Sequence, residues 1–281
     1  MRIKILSDSV CDLTKEQLEK YDIELIPLPI IKNDKTYKDG VDIMPEDIFE
    51  YVESGKGICH TSAINVADYQ EAFGRLADQY DAVILFTLSS GISSCYQNAL
   101  IAASDFKNVY VVDSQNLSTG CGHLVLDAAI MAEQGATAEE IVRRIEELRP
   151  KVEASFVIDS LLYLWKGGRC SGVAALGANV LKLKPCIEVK NSKMDVGKKY
   201  RGNFDKVIIQ YVADKLKDRT DIDYRRIFVT HPSGVPRAVV ENVVKTVKAL
   251  GPFEEVIETL AGGTISTHCG PVCLGVLFYR K

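Results

Sequence analysis

The chain has 281 residues, 47% of them hydrophobic and 26% charged, enough for one large or two ordinary domains with real cores. A net charge of −4 with scattered Lys and Arg excludes the basic footprint of a nucleic-acid binder. No apolar run nears the ~18 residues of a membrane span.

Residues 2–7 read as a strand that runs from Met1 straight into polar Ser7-Asp8, so no signal peptide is expected and the cytoplasm is the expected location. Thr14-Lys-Glu-Gln17 reads as a capping box opening a short helix. Residues 23–31 read as extended. Pro27 and Pro29 remove ladder donors there, which predicts an edge strand or sheet margin. Asn33-Asp34 predicts a turn, Pro45 the first position of a helix through Ser54, and Asn65 the cap of a helix over 66–79. Strands at 82–88 and 108–112 alternate with helices at 92–104 and 118–134, and Thr137 opens a second capping box on a helix ending near Arg149-Pro150. Strands spaced by helices of this length imply βαβ units and a parallel sheet.

After Pro150 the texture changes. A strand at 155–158 precedes an apolar helical turn, 161–169, broken by Gly167-Gly168. Strands at 185–189 and 193–196 flank an Asn191-Ser192 turn. Helices at 204–217 and 236–249 flank a strand at 226–230, and 274–279 closes as a strand. The expected fold class is therefore α/β: a mostly parallel N-terminal sheet with flanking helices over 1–150, and a smaller mixed or antiparallel C-terminal sheet with helices over 151–281.

Five stretches rich in Ser, Thr and Gly each follow β-type apolar residues: Ser7-Asp8-Ser9, Thr61-Ser62, Thr87 to Ser94, Asp113-Ser114, and Gly262 to His268. Carboxyl ends of parallel strands share one edge, where ligands sit. Hydroxyls and free N–H groups gathered there make a nest for a small anion. Ser93 or Ser94 is expected near a helix start, Thr61-Ser62 reads equally as an ordinary cap, and Asp8 would repel an anion and so is expected to orient loops. His268, amid hydroxyls, is the histidine best placed for a ligand, and a nearby carboxylate would favour its charged form. His60, His123 and His231 read as structural.

Several chemistries lack their signatures. There is no G-x-G-x-x-G after a strand, no phosphate-loop motif, no H-E-x-x-H and no G-x-S-x-G. Eight cysteines without a C-x-x-C pair read as free thiols in a reducing compartment. His268, Cys269 and Cys273 lack further ligands at metal-site spacing, so no metal is expected. Ser93 with His268 and Asp8 or Asp113 can be written as a triad. Cys95, just inside a helix, is a candidate low-pKa thiol. Either would make an acyl hydrolase or transferase. A binder of another small anion, such as a phosphorylated metabolite, is a third reading.

Further motifs carry a resemblance. Leu6-Ser-Asp-Ser-Val-Cys-Asp-Leu13, His60-Thr-Ser62, Leu88-Ser-Ser-Gly-Ile-Ser-Ser-Cys-Tyr-Gln97 and Val112-Asp-Ser-Gln-Asn-Leu-Ser-Thr-Gly120 are similar to motifs of the DegV family. So are Leu164-Trp-Lys-Gly-Gly-Arg-Cys-Ser171, Leu183-Lys-Pro185 and Thr267-His-Cys-Gly-Pro271, in order along essentially the whole chain. The resemblance implies two α/β domains holding a long-chain fatty acid. It also implies a non-catalytic role, without cofactor, as the acyl-carrying subunit of a bacterial fatty acid kinase. The partner it implies is an ATP-dependent subunit of dihydroxyacetone-kinase type that makes acyl phosphate for phospholipid synthesis, and transient contact with a membrane surface fits such a ligand. Carried over by motif, the carboxylate contacts fall on Thr61 or Ser62, on Ser93 with Ser94, and on His268, with Arg169 facing the kinase and Asp8 and Asp113 orienting loops. Ala63-Ile64 stands where the family often has Gln-Pro, and Ser94-Cys95 replaces a commoner Gly-Thr. Neither departure removes the hydroxyls.

Overall fold

The computed structural model describes residues 1–170, 172–173 and 183–281. Strands β1 (Ile3–Asp8), β2 (Glu24–Ile26), β6 (Ala82–Thr87) and β7 (Val109–Asp113) form an all-parallel sheet in the order β2-β1-β6-β7. β6 is buried at all six positions, as a central strand covered on both faces must be. Successive side chains alternate between two cores. Leu6, Val83 and Leu85 pack with Tyr69, Phe73 and Leu76 of α3 (Val66–Leu76) and Ala99 and Ala102 of α4 (Cys95–Ala103). Ile5, Ile84 and Phe86 point the other way, onto α5 (Ser118–Glu133) and α6 (Ala138–Leu148).

The run at 23–31 divides. β2 takes the sheet edge, while β3 (Pro29–Lys32) pairs with β4 (Lys35–Lys38) and β5 (His60–Thr61) in a small antiparallel sheet. Pro29 is tolerated because it is the first residue of its strand. Asn33 and Asp34 both have positive φ, 51° and 58°, the conformation a tight two-residue hairpin requires. Thr61-Ser62 therefore arrives from this small sheet and not from the parallel one, which corrects the expectation of a single shared strand edge.

The C-terminal sheet is mixed, in the order β10-β9-β8-β13-β11-β12, and with six strands against four it is the larger sheet and not the smaller one expected. Its strands are β8 (Val152–Ile158), β9 (Leu183–Lys190), β10 (Lys193–Arg201), β11 (Ile222–His231), β12 (Glu255–Leu260) and β13 (Cys273–Arg280). Only the β11–β12 pair is parallel. β12 escaped the sequence reading because it is an edge strand with mostly half-exposed residues and no continuous apolar run. The outer face packs on α8 (Phe204–Leu216) and α9 (Arg237–Leu250). The inner face packs on α5 through Ala154, Phe228, Leu277 and Tyr279. α5 thus lies between the two sheets, which is why residues 118–129 are buried all round.

Caps follow the sequence closely. Thr14 Oγ1 accepts from the Gln17 N–H at 3.2 Å while Gln17 Oε1 accepts from the Thr14 N–H at 3.0 Å, opening α1 (Lys15–Lys20). Thr137 and Glu140 repeat the arrangement on α6, and Pro45 opens α2 (Pro45–Glu53). Two short helices complete the site's frame, α7 (Leu162–Gly167), ended by Gly168 at φ 66°, and α10 (Gly263–Cys269). Among the described residues no helix is long and apolar enough to cross a membrane.

Candidate functional site

Three segments from different parts of the chain converge on one chamber, and buried carboxylates hold two of them. The loop after β6 is anchored at its start by Asp8, whose Oδ2 accepts from the Leu88 N–H at 2.9 Å and whose Oδ1 accepts from the Tyr69 hydroxyl at 2.7 Å. Asp113 accepts from the Ser90 N–H (3.1 Å), the Ser90 hydroxyl (2.5 Å) and the Gln115 N–H (2.9 Å). Gly91 is required because a Cβ there would overlap the Ser192 carbonyl at the β9–β10 turn, to which Ser89 also donates at 2.7 Å. The loop is thereby clamped against the C-terminal half and presents Leu88, Ile92 and Ser93 inward.

The second segment is Thr61-Ser62. β5 pairing sets Thr61 opposite Ile30, and the Ser62 N–H donates to the Pro29 carbonyl at 3.1 Å. The third is α10. Asp39, buried, accepts from the N–H groups of Gly263 (2.9 Å) and Thr264 (3.0 Å), and Asp12 accepts from the Gly262 N–H (2.8 Å). These acids take the N–H groups of Gly262, Gly263 and Thr264, which are therefore not offered to an anion. Neither Asp12 nor Asp39 was singled out by sequence, since an acid in a turn carries no mark of the helix it will cap 220 or more positions later.

The chamber has a mainly apolar wall of Leu28, Leu88, Ile92, Leu117, Phe156, Met194 and Ile265. Thr61, Ser62, Ser93, Thr264, His268 and Arg169 supply its polar side. A second chamber shares Leu117, Phe156, Ile265 and Cys269 with the first, and is lined further by Cys273, Leu277, Thr230 and His231. Arg169 is exposed, donates to the Gly167 carbonyl at 2.7 Å, and has no carboxylate partner among the described residues. Ser171, the last residue of the Gly-Gly-Arg motif, lies outside the described residues.

His268 Nε2 lies 2.7 Å from Thr61 Oγ1, and its buried Nδ1 has no partner among the described residues. Burial, then the Arg169 and His60 charges, pull its pKa down to about 4. The imidazole is therefore neutral at neutral pH, the charged form being expected only beside a ligand carboxylate. With Nε2 assigned as the protonated nitrogen, His268 donates to Thr61 and leaves the Thr61 hydroxyl free to donate inward.

Of the other sequence candidates, Ser94 is exposed and outside the chamber lining, and its side chain caps nothing. Cys95 is buried beside Asp8, and burial first pushes its thiol up to about 12, the reverse of an activated nucleophile. The Ser93 hydroxyl contacts Cys95 Sγ at 3.2 Å and accepts from the Cys95 N–H, while His268 is bonded to Thr61. Asp8 and Asp113 are engaged with their loops, so no triad is assembled. His60 is exposed, and His123 is buried between Phe228 and Tyr279. All eight cysteines are free and buried.

A family model described as "Uncharacterised protein, DegV family" matches residues 2–281. The chain belongs to the DegV family. Among curated relatives it is 34% identical to a DegV domain-containing protein of Caldanaerobacter subterraneus subsp. tengcongensis, over 100% of this chain and 99% of the other. It is 31% identical to a Thermotoga maritima protein named fatty acid-binding protein, over 98% and 96% of the two chains. A solved structure from Thermus thermophilus, described as fatty acid binding of a DegV family protein, superposes with TM-score 0.89 at 28% identity over 100% of both chains.

Proposed function

We propose that this DegV chain binds a long-chain fatty acid, its tail in the paired chambers and its carboxylate on Thr61, Ser62 and Ser93, with His268 holding the Thr61 hydroxyl in place. In this reading it is a carrier and not an enzyme. A separate ATP-dependent kinase subunit of dihydroxyacetone-kinase type phosphorylates the bound acid in the cytoplasm, and the acid is collected in transient contact with a membrane surface. A carboxylate oxygen attacks the γ-phosphorus of ATP, ADP departs, and an acyl phosphate results. Exposed Arg169 at the chamber rim meets the kinase. The names of the Thermotoga and Thermus relatives support the ligand class.

The observation that carries the reading is a pair of adjoining apolar chambers with four wall residues in common, the first having a polar side of hydroxyls and a neutral imidazole. Burying about 14 methylenes at ~0.8 kcal/mol each gives on the order of 11 kcal/mol gross. Each hydrogen bond to a charged head adds about 1.5–3 kcal/mol but first offsets the desolvation of the carboxylate. The tail therefore sets affinity and the head sets orientation.

Mass spectrometry of a solvent extract tests the ligand. Protein expressed in bacteria should carry fatty acid, and a lipid-free preparation that also refuses palmitate and oleate defeats the proposal. Incubation with ATP and a bacterial fatty acid kinase subunit should then yield acyl phosphate only when both proteins are present.

A further inference from the structure

α10 carries three hydroxyl residues besides His268, and two are paired within the fold. Thr267 donates to the Gly263 carbonyl at 2.8 Å and Ser266 to the Ala261 carbonyl at 3.3 Å. Thr264 is different. Only 4% of its surface is exposed, it lines the main chamber, and its Oγ1 has no hydrogen-bond partner among the described residues. The carbonyl four residues back, the usual acceptor for a helical threonine, lies outside the helix. The backbone of this turn is fixed. The Thr264 N–H is held by Asp39, and a Cβ on Gly263 would already stand 2.5 Å from Asp39 Oδ1 and 2.9 Å from Ile30.

Thr264 and His268 are four residues apart, so they share one face of the helix, about 6 Å apart along its axis. That face is the one that meets Thr61. An unpaired buried hydroxyl costs ~1–3 kcal/mol, which the empty protein bears without return. A carboxylate has acceptor capacity for about four donors.

We propose that the Thr264 hydroxyl is a further donor to the ligand's carboxylate, alongside Thr61, Ser62 and Ser93, and that the chamber thereby selects ionised acids over other amphiphiles of equal chain length. The assignment rests on the fatty acid reading above. Its site is a pre-positioned hydroxyl that only a bound acceptor satisfies.

Thr264→Val keeps the volume and deletes the donor. Palmitate affinity, measured by displacement of a fluorescent fatty acid, should fall about five- to tenfold, while affinity for hexadecan-1-ol changes less than twofold. Thr264→Ser should restore palmitate binding to within about twofold of wild type. Without ligand, Thr264→Val should melt at or above the wild-type temperature, since it removes an unsatisfied group. Unchanged palmitate affinity overturns the assignment, as does an equal loss for acid and alcohol. A fall in the melting temperature of the ligand-free variant overturns it too, because the hydroxyl would then be paired within the fold. A wild-type protein that binds neither compound removes the fatty acid reading and this assignment together, whereas wild-type binding with an unaffected variant removes this assignment alone.

Discussion

Gly167→Ala tests whether His268 acts through its position. Gly167 ends α7, and its Cα rests against the imidazole. A Cβ built there would overlap His268 Nδ1 and stand 3.0 Å from Cε1 and 3.3 Å from Cγ. Restoring ordinary contact near 3.5–4.0 Å requires a ring displacement of roughly 1.5 Å. The Nε2–Oγ1 bond at 2.7 Å would then stretch beyond hydrogen-bonding range, releasing Thr61 as well. Gly167 has no positive φ, and alanine favours helix by about 1 kcal/mol, so the fold should not weaken through its backbone. Losing one head-group hydrogen bond at ~1.5–3 kcal/mol predicts about a ten- to hundredfold fall in palmitate affinity. Calorimetric titration with palmitate and with hexadecan-1-ol, beside thermal melts of the free protein, reads both effects. Wild-type palmitate affinity in a variant of normal stability would refute the reasoning, because the imidazole would then be irrelevant to the head group.

Arg169→Ala should leave palmitate binding within about twofold and sharply reduce acyl phosphate formation with the kinase subunit; loss of lipid binding would mean that Arg169 holds the ligand. Burial lowers His268 to about 4 while the unfolded chain titrates near 6.5, so the unfolded state binds more protons between those values and stability falls as pH drops through that window. The stability advantage of wild type over His268→Gln should therefore shrink by about 3 kcal/mol from pH 7 to pH 4 in denaturant titrations, and a gap independent of pH contradicts the neutral buried imidazole. Cys269→Phe, placed where the chambers meet, should cost palmitate several kcal/mol (~0.8 per excluded methylene) yet spare decanoate in the same displacement assay; equal losses would show that the second chamber holds no tail.

Local signals were legible wherever chemistry acts within a few residues. The Thr14 and Thr137 capping boxes, the Asn65 cap and the Asn33-Asp34 turn are written in adjacent side chains, and the structure has them all. The strands buried on both faces were legible for the same reason, as continuous apolar runs. What stayed hidden depends on distant partners. β12 is an edge strand paired on one side only, so its sequence carries a weak pattern. Asp39 caps a helix 224 residues away, and nothing near Lys38-Asp39-Gly40 marks it. Thr264 stood inside a quoted motif, but its unpaired hydroxyl is distinguishable from the paired ones of Ser266 and Thr267 only when their acceptors are known. Cys95 shows the converse. Its place just inside a helix suggested activation, whereas depth and the neighbouring Asp8 reverse the shift.

The polarity of the site bears on why a carrier of this kind would use neutral donors. A buried lysine or arginine would hold a carboxylate in a tight ion pair, lower the nucleophilicity of its oxygens and leave a costly unpaired charge whenever the chamber emptied. Hydroxyls and a neutral imidazole cost far less to leave empty, and each orients the acid without removing its charge. Among the described residues the one cation of the lining is Arg169, which is exposed, where water screens it and a second protein can reach it. Under the proposed function, orientation from neutral groups inside with positive charge kept outside suits an acid to be phosphorylated by a second protein. Ser93 and Cys95, the two nucleophiles of the hydrolase reading, touch each other and not His268, which is bonded to Thr61.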